Sequence, residues 1–271
     1  MDTLEYINAH GLQKYMPPLS AEQQKEYEQV SQDPNYGVRG VFPLPPESED
    51  LVFLHQKIRE RKAFTVLEFG VGYSTLVMAH ALLQNKREFE EAPVEVRKGI
   101  RCNSPFELHA VDASMEWIDR CKLLISSHPE LMEVVTLHHS DVSCTQLQGR
   151  MCHTYSNIPD VIPDFIYLDG PGTEHVSGSV YGMTFSNNSD RTVMSADPCI
   201  MEPTLLPGVF MVVDGRTNNA RFIRNNLQRC WTYKWLRERD VSTFELQEDP
   251  LGPFNERMLD YCGLKTHSSS A

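Results

Sequence analysis

Nowhere in the chain do 18 apolar residues run together, so no segment offers a membrane-spanning helix. The opening Met1-Asp2-Thr3-Leu4-Glu5 lacks a basic stretch followed by an apolar one, which leaves no secretory signal to expect. The seven cysteines, Cys102, Cys121, Cys144, Cys152, Cys199, Cys230 and Cys262, are scattered, odd in number and free of any C-x-x-C pair. Neither a disulfide framework nor a structural zinc site is indicated, and a reducing, cytoplasmic setting is expected. Basic residues are scarce too: 25 against 37 acidic ones give a net charge of -12, which would repel a phosphate backbone. No nucleic-acid partner and no membrane partner are therefore expected. The nearest basic run, Lys57, Arg59, Arg61 and Lys62, closes a predicted helix, where cations complement the helix dipole. No internal repeat or low-complexity segment occurs apart from the terminal serines 268–270.

What is present suffices for a proper core, since 41% of 271 residues are hydrophobic. One domain with additions is the simpler reading. Residues 1–62 are polar, tyrosine-bearing and punctuated by Pro17, Pro18, Pro43, Pro45 and Pro46, and they read as a helical N-terminal appendage. It would serve as a lid or substrate wall, or else as a packing or homodimerisation arm. Ser20 and Gln23 form a capping box for a helix to about Val30, and a second helix over Ser48 to Arg61 places Leu51, Leu54 and Ile58 on one face.

From Phe64 onward strands and helices alternate, which predicts an α/β fold with a seven-stranded, mostly parallel, doubly wound sheet over residues 63–247 and a tail over 248–271. Strands are expected near Thr65 to Phe69, Glu107 to Val111, Glu133 to His138, Phe165 to Leu168, Val209 to Val213, Thr232 to Trp235 and Thr243 to Leu246. Helices are expected near Ser74 to Gln84, Met115 to Ser126, Ala196 to Leu205 and Asn218 to Arg229. Gln84 to Pro105 reads as a charged, looped-out insertion. Gly170 to Ser195 reads as a long loop after a strand, where function often resides.

The most informative stretch is Glu68-Phe69-Gly70-Val71-Gly72, an apolar strand passing through a tight glycine turn into a helix that begins near Ser74. Glycines let the backbone approach a ligand closely, so this turn suits a nucleoside-binding crevice. A dinucleotide fingerprint wants a third glycine where Thr75 stands, and that class is disfavoured. Asp112 ends the next strand at the carboxyl edge, where a carboxylate can accept from both ribose hydroxyls. Its other reading is a cap on the following helix.

Glu68 to Gly72 resembles the first motif of class I S-adenosylmethionine-dependent methyltransferases, E/D-x-G-x-G. With Asp112, Asp141 and Asp169 falling in order at successive strand ends, the resemblance spans about Val66 to Leu246 and implies S-adenosylmethionine as cofactor. It implies a cradle of Glu68, Gly70, Gly72, Ser74 and Asp112, with Ser140 and Asp141 at the adenine. Asp169 would stand where cofactor and acceptor meet. Asp169 and Asp214 also resemble the magnesium-binding aspartates of macrocin and catechol O-methyltransferases, although Pro171 and Gly215 break those patterns.

An oxygen acceptor needs its proton removed, and Asp169 is the first candidate base, with His175 as the second. Arg216 and Arg221 would bind an anionic acceptor or pair with surplus carboxylates. The expected activity is methylation of a small molecule, chiefly O-methylation of a sugar-like or polyhydroxylated metabolite. Transfer of a methyl or aminopropyl group to an amine, and a non-catalytic S-adenosylmethionine-binding module, are the alternatives.

Overall fold

A computed structural model describes residues 2–32, 44–186 and 191–264; the expectations for 33–43, Pro43 included, lie outside the described residues. The N-terminal region carries α1 (Thr3–His10), α2 (Ala21–Ser31) and α3 (Ser48–Glu60). The sheet region follows with β1 (Thr65–Phe69), α4 (Tyr73–Glu91), α5 (Val94–Gly99), β2 (Glu107–Asp112), α6 (Met115–Ser126) and β3 (Val135–His139). Next come a hairpin of β4 (Val142–Leu147) and β5 (Arg150–Tyr155), then β6 (Phe165–Leu168), the short β7 (Val176–Ser177) and α7 (Asp197–Met201). The chain closes with β8 (Phe210–Asp214), α8 (Thr217–Arg224), β9 (Trp231–Leu236), β10 (Val241–Leu246) and α9 (Pro253–Cys262).

Seven strands form one sheet in the order β3-β2-β1-β6-β8-β10-β9. The first five run parallel, and β10 pairs antiparallel with both β8 and β9. β1 and β6 are buried along their whole length, as central parallel strands should be, and Glu68 carries the one carboxyl group in either. Strand order reverses at β1, with β2 on one side and β6 on the other, and such a reversal opens a crevice beyond the carboxyl ends. Register sharpens the point. Phe69 pairs with Val111 and Leu168, and Leu168 with Val213, so the next residues, Gly70, Asp112, Asp169 and Asp214, emerge at one level.

Three sequence expectations change. The stretch after Gln84 is helical, because α4 runs on to Glu91 and α5 follows; its Lys, Arg and Glu residues are good helix formers, and their charge does not imply a loop. The β4–β5 hairpin was not anticipated. It turns at Gln148-Gly149, both with positive φ (50° and 76°), the geometry of a two-residue hairpin turn, and β7 adds a short parallel edge to it from within the expected Gly170 to Ser195 loop. Segment 248–271 is more than a tail, because α9 buries Leu259 and Cys262, the latter against Phe64 and Phe106.

The N-terminal helices share the main core. Tyr6, Leu12, Tyr15 and the α3 residues Leu51, Leu54 and Ile58 pack in one cluster with Leu76 to Leu83 of α4. Truncating a core leucine of this kind to alanine costs about 2–5 kcal/mol. The Ser20–Gln23 capping box forms, with backbone-to-side-chain bonds of 3.0 and 3.2 Å. The basic run is structural: Arg61 pairs with Glu245 at 2.8 Å and donates to the Gly208 carbonyl, while Arg59 reaches Asn85 and Glu88.

Candidate active site

The glycine turn is built by close approach between two strand ends. Gly70 has φ +117°, and a Cβ on Gly170 would sit 3.0 Å from both Cα and N of Gly70. The Gly170 N–H donates to the Phe69 carbonyl at 2.6 Å, so the turns after β1 and β6 touch backbone to backbone. Gly72 differs. Its φ of 169° is open to any residue, and a Cβ there would meet no atom within 4 Å. Nothing in the protein requires glycine at 72, and the space its Cβ would enter is open.

Glu68 and Ser74 hold this turn from beneath. The Glu68 carboxyl is fully buried and accepts from Ser74 Oγ at 2.5 Å and Thr75 Oγ1 at 2.7 Å, and Thr75 Oγ1 in turn accepts from the Gly72 N–H at 3.0 Å. Burial pushes Glu68 up to about 8, with the two hydroxyl donors opposing. Both residues fasten the loop on which the two glycines stand. Of the predicted cradle, Gly70, Gly72 and Asp112 remain at the crevice edge. Asp112 is 7% exposed and accepts from the Ser114 N–H at 2.7 Å; its pKa is raised, mainly by burial, and that bond opposes the shift.

Ser140 lies at the next strand end. Its hydroxyl accepts from the Asn157 N–H at 2.9 Å and donates to the Asp141 carbonyl at 3.3 Å, which commits it to tying β3 to the segment after β5. Asp141 lies exposed at the same edge, with its carbonyl accepting from the Ser156 N–H at 2.8 Å. His175 falls in a 3-10 turn, with Nε2 3.5 Å from Glu174 Oε1, close enough to Asp112 to oppose the rise in that carboxyl's pKa.

Asp169 ends β6 with a side chain 54% exposed, open to the crevice yet ringed by protein. Enclosure raises its pKa; Arg216 opposes that shift and Asp214 adds to it. Arg216 donates to the Asp169 and Pro171 carbonyls, the latter at 2.8 Å, and lies 3.7 Å from Asp169 Oδ1. Burial raises the pKa of Asp214, with Glu47 and Asp240 adding to the shift, while the Tyr167 hydroxyl that donates to it at 2.8 Å opposes it.

Magnesium does not fit this pair. Among the described residues no three carboxylate, histidine or cysteine groups converge on one point. One Asp214 oxygen is engaged by Tyr167, and a guanidinium already faces Asp169. The expected metal role of Asp169 and Asp214 is therefore withdrawn on their chemistry.

Sequence reading missed the wall opposite the glycine turn. Tyr155 of β5 packs its ring 5.5 Å from Phe69, and its hydroxyl feels the charges of Asp112, Asp197, Arg216 and Asp169. The Gln148-Gly149 turn signal would have exposed the hairpin, and with it His153 and Tyr155 on one face.

The architecture is the seven-stranded, mostly parallel α/β sheet that the sequence predicts. No protein-family model matches the chain, and no curated protein matches it. Among solved structures, it is similar to an SAH-bound Podospora anserina methyltransferase, at 11% identity over 91% of this chain and 96% of that one, with a TM-score of 0.44. It is likewise similar to the SAM-bound O-methyltransferase TomG of Streptomyces achromogenes, at 14% identity over 91% and 98% and a TM-score of 0.40. An SAH-bound O-methyltransferase from Bacillus cereus, at 13% identity over 90% and 100%, has a TM-score of 0.40. Likeness at this level says nothing of this chain's chemistry, which rests on its own geometry.

Proposed function

We propose that the chain is an S-adenosylmethionine-dependent methyltransferase that O-methylates a small, polyhydroxylated acceptor. The observation that carries this reading is the level row of Gly70, Asp112, Asp169 and Asp214 beside a Gly72 whose Cβ direction is open. Bound there, S-adenosylmethionine would supply an electrophilic methyl on sulfur.

The chain's own residues do the rest. The Glu68–Ser74–Thr75 knot fixes the glycine turn, Asp112 accepts from ribose hydroxyls, and the crevice walls orient the acceptor for in-line attack. Alignment of this kind is worth about 7–11 kcal/mol of barrier. Asp169, its pKa raised toward neutrality, takes the acceptor's hydroxyl proton, and Arg216 holds the turn that carries it. The crowd of carboxylates at Glu47, Asp50, Asp214 and Asp240 favours a second reading, in which the acceptor is an amine.

Calorimetric titration of S-adenosylhomocysteine tests the cofactor assignment. Gly72→Val is expected to weaken binding at least about tenfold with little change in melting temperature, because its side chain meets ligand space and not protein. Asp112→Ala is expected to weaken it by a similar factor. Unchanged affinity in both variants would sink the assignment.

A further inference from the structure

Charge is unevenly spread along this chain. Of its 25 basic residues, seven fall within 216–239, a segment that holds only one of the 37 acidic residues, Glu238. Three of the seven are committed within the fold: Arg216 donates to the Pro171 carbonyl at 2.8 Å, Arg229 pairs with Glu248 at 2.5 Å, and Arg239 donates to the Glu49 carbonyl at 3.0 Å. The other four, Arg221, Arg224, Lys234 and Arg237, are exposed. Among the described residues none of them forms an ion pair.

These four cations flank an open strand edge. β9 is the last strand of the seven-stranded sheet, and no described strand pairs with its outer side. Tyr233 and Trp235 alternate onto the face where Arg224 lies 4.7 Å from the Tyr233 ring centre, and Arg221 and Arg237 lie 5.9 and 4.7 Å from that of Trp235. Lys234, between them on the strand, belongs to the opposite face. Both flanks are therefore positive. Neighbouring carboxylates are mostly spent: Glu245 pairs with Arg61, Glu248 with Arg229, and buried Glu202 accepts from the Gln228 and Arg229 N–H groups and Trp231 Nε1. Glu238 and Asp240, beyond the strand's end, are the local counter-charges.

Interfaces are matched by charge, so a basic strip on an acidic chain suits an acidic partner. A second copy does not suit it, because two-fold pairing of β9 with itself would set these cations against their own images. Nor does a long nucleic acid, whose phosphates would run past the strip onto a chain of net charge -12. A short extended peptide rich in Asp and Glu does. Its backbone would pair with the open edge, and its carboxylates would reach the cations on either face. The six residues of β9 span about 20 Å, enough for a segment of about the same length. Val241 pairs with both Leu236 and Asp214, so the upper end of this edge stands level with the crevice rim.

We propose that the outer edge of β9, with Arg221, Arg224, Lys234 and Arg237, is a docking surface for an extended acidic segment of a partner protein, bound by strand addition. It does not depend on what the crevice transfers.

Fluorescence anisotropy of the full chain, at about 50 mM salt, with a labelled peptide of about twelve alternating Thr and Glu residues tests the surface. That peptide should bind, and one of alternating Thr and Lys should not. N-methylation of two successive central amides, one of which must face β9, should weaken binding at least about tenfold. The quadruple variant Arg221→Gln, Arg224→Gln, Lys234→Gln and Arg237→Gln should melt within about 4 °C of wild type and bind the Thr-Glu peptide at least about tenfold more weakly. If it melts lower, Lys234→Gln and Arg237→Gln taken singly decide, each with an expected loss of about two- to fivefold.

No binding of the Thr-Glu peptide, equal binding of the Thr-Lys peptide, or unchanged affinity in the variants would overturn the surface. Undiminished binding of the N-methylated peptide rejects strand addition. Tighter binding of a dT strand of about the same length would assign the cations to nucleic acid. A dimeric wild type that excludes the peptide gives the edge to a second copy, and variants that aggregate while wild type binds nothing show cations merely guarding it. Each of these results overturns the proposal.

Discussion

At Glu68, burial and two hydroxyl donors pull the same carboxyl in opposite directions, and burial wins, raising it from 4.5 to about 8. The folded chain therefore keeps a proton that the unfolded chain releases. Its contribution to stability is complete below about pH 4.5 and is lost as pH rises through about 8. Buried His55 and His80, lowered to about 2 and about 4, act the other way below pH 6.5, so the Glu68 effect is cleanest as a difference from Glu68→Gln. Thermal melts across pH 5–8 should show wild type losing ground steadily to that variant. Parallel curves would mean that Glu68 folds already ionised. Glu68, Gly72, Asp112 and Asp169 were legible because each signal is local, a strand end or a turn. That Glu68 faces away from the crevice, and that Ser140 is consumed by Asn157, depends on neighbours distant in sequence or on side-chain direction.

Strand ends meet at the level of elements. The turn after β1 accepts the turn after β6 only because both Gly70 and Gly170 lack a Cβ, and the atoms facing Gly170 are backbone atoms that cannot swing aside. Gly170→Ala should cost about 1–3 kcal/mol of stability, as overpacking does, and loosen the cradle. Chemical denaturation together with S-adenosylhomocysteine titration measures both; an unchanged midpoint with unchanged affinity would show that the turns can part freely. The structure gives Gly170 a packing role that no local pattern reveals. The β4–β5 hairpin was hidden for a related reason: its Gln148-Gly149 turn is visible in sequence, but its place over the crevice comes from the strap 194–197.

Over the whole molecule, a seven-stranded sheet stands beside the smaller β5-β4-β7 sheet, α1 and α3 pack on α4, and α9 closes on Phe64 and Phe106. No described helix is long and apolar enough to cross a membrane. Methyl transfer from labelled S-adenosylmethionine into a metabolite extract should be indifferent to EDTA, because Arg216 and Tyr167 occupy what a metal would need. Loss of labelling on chelation, restored by magnesium, would refute that. By itself the sequence determined the alternation of strands and helices, the glycine turn and the carboxylates at successive strand ends, since apolar periodicity and glycine act within a few residues. Only the tertiary structure decided that Gly70, Asp112, Asp169 and Asp214 emerge at one level, that Glu68 is bound to the hydroxyls of Ser74 and Thr75, and that Arg216 faces Asp169. Register, burial and charge proximity are set by segments far apart in the chain, and no local pattern encodes them.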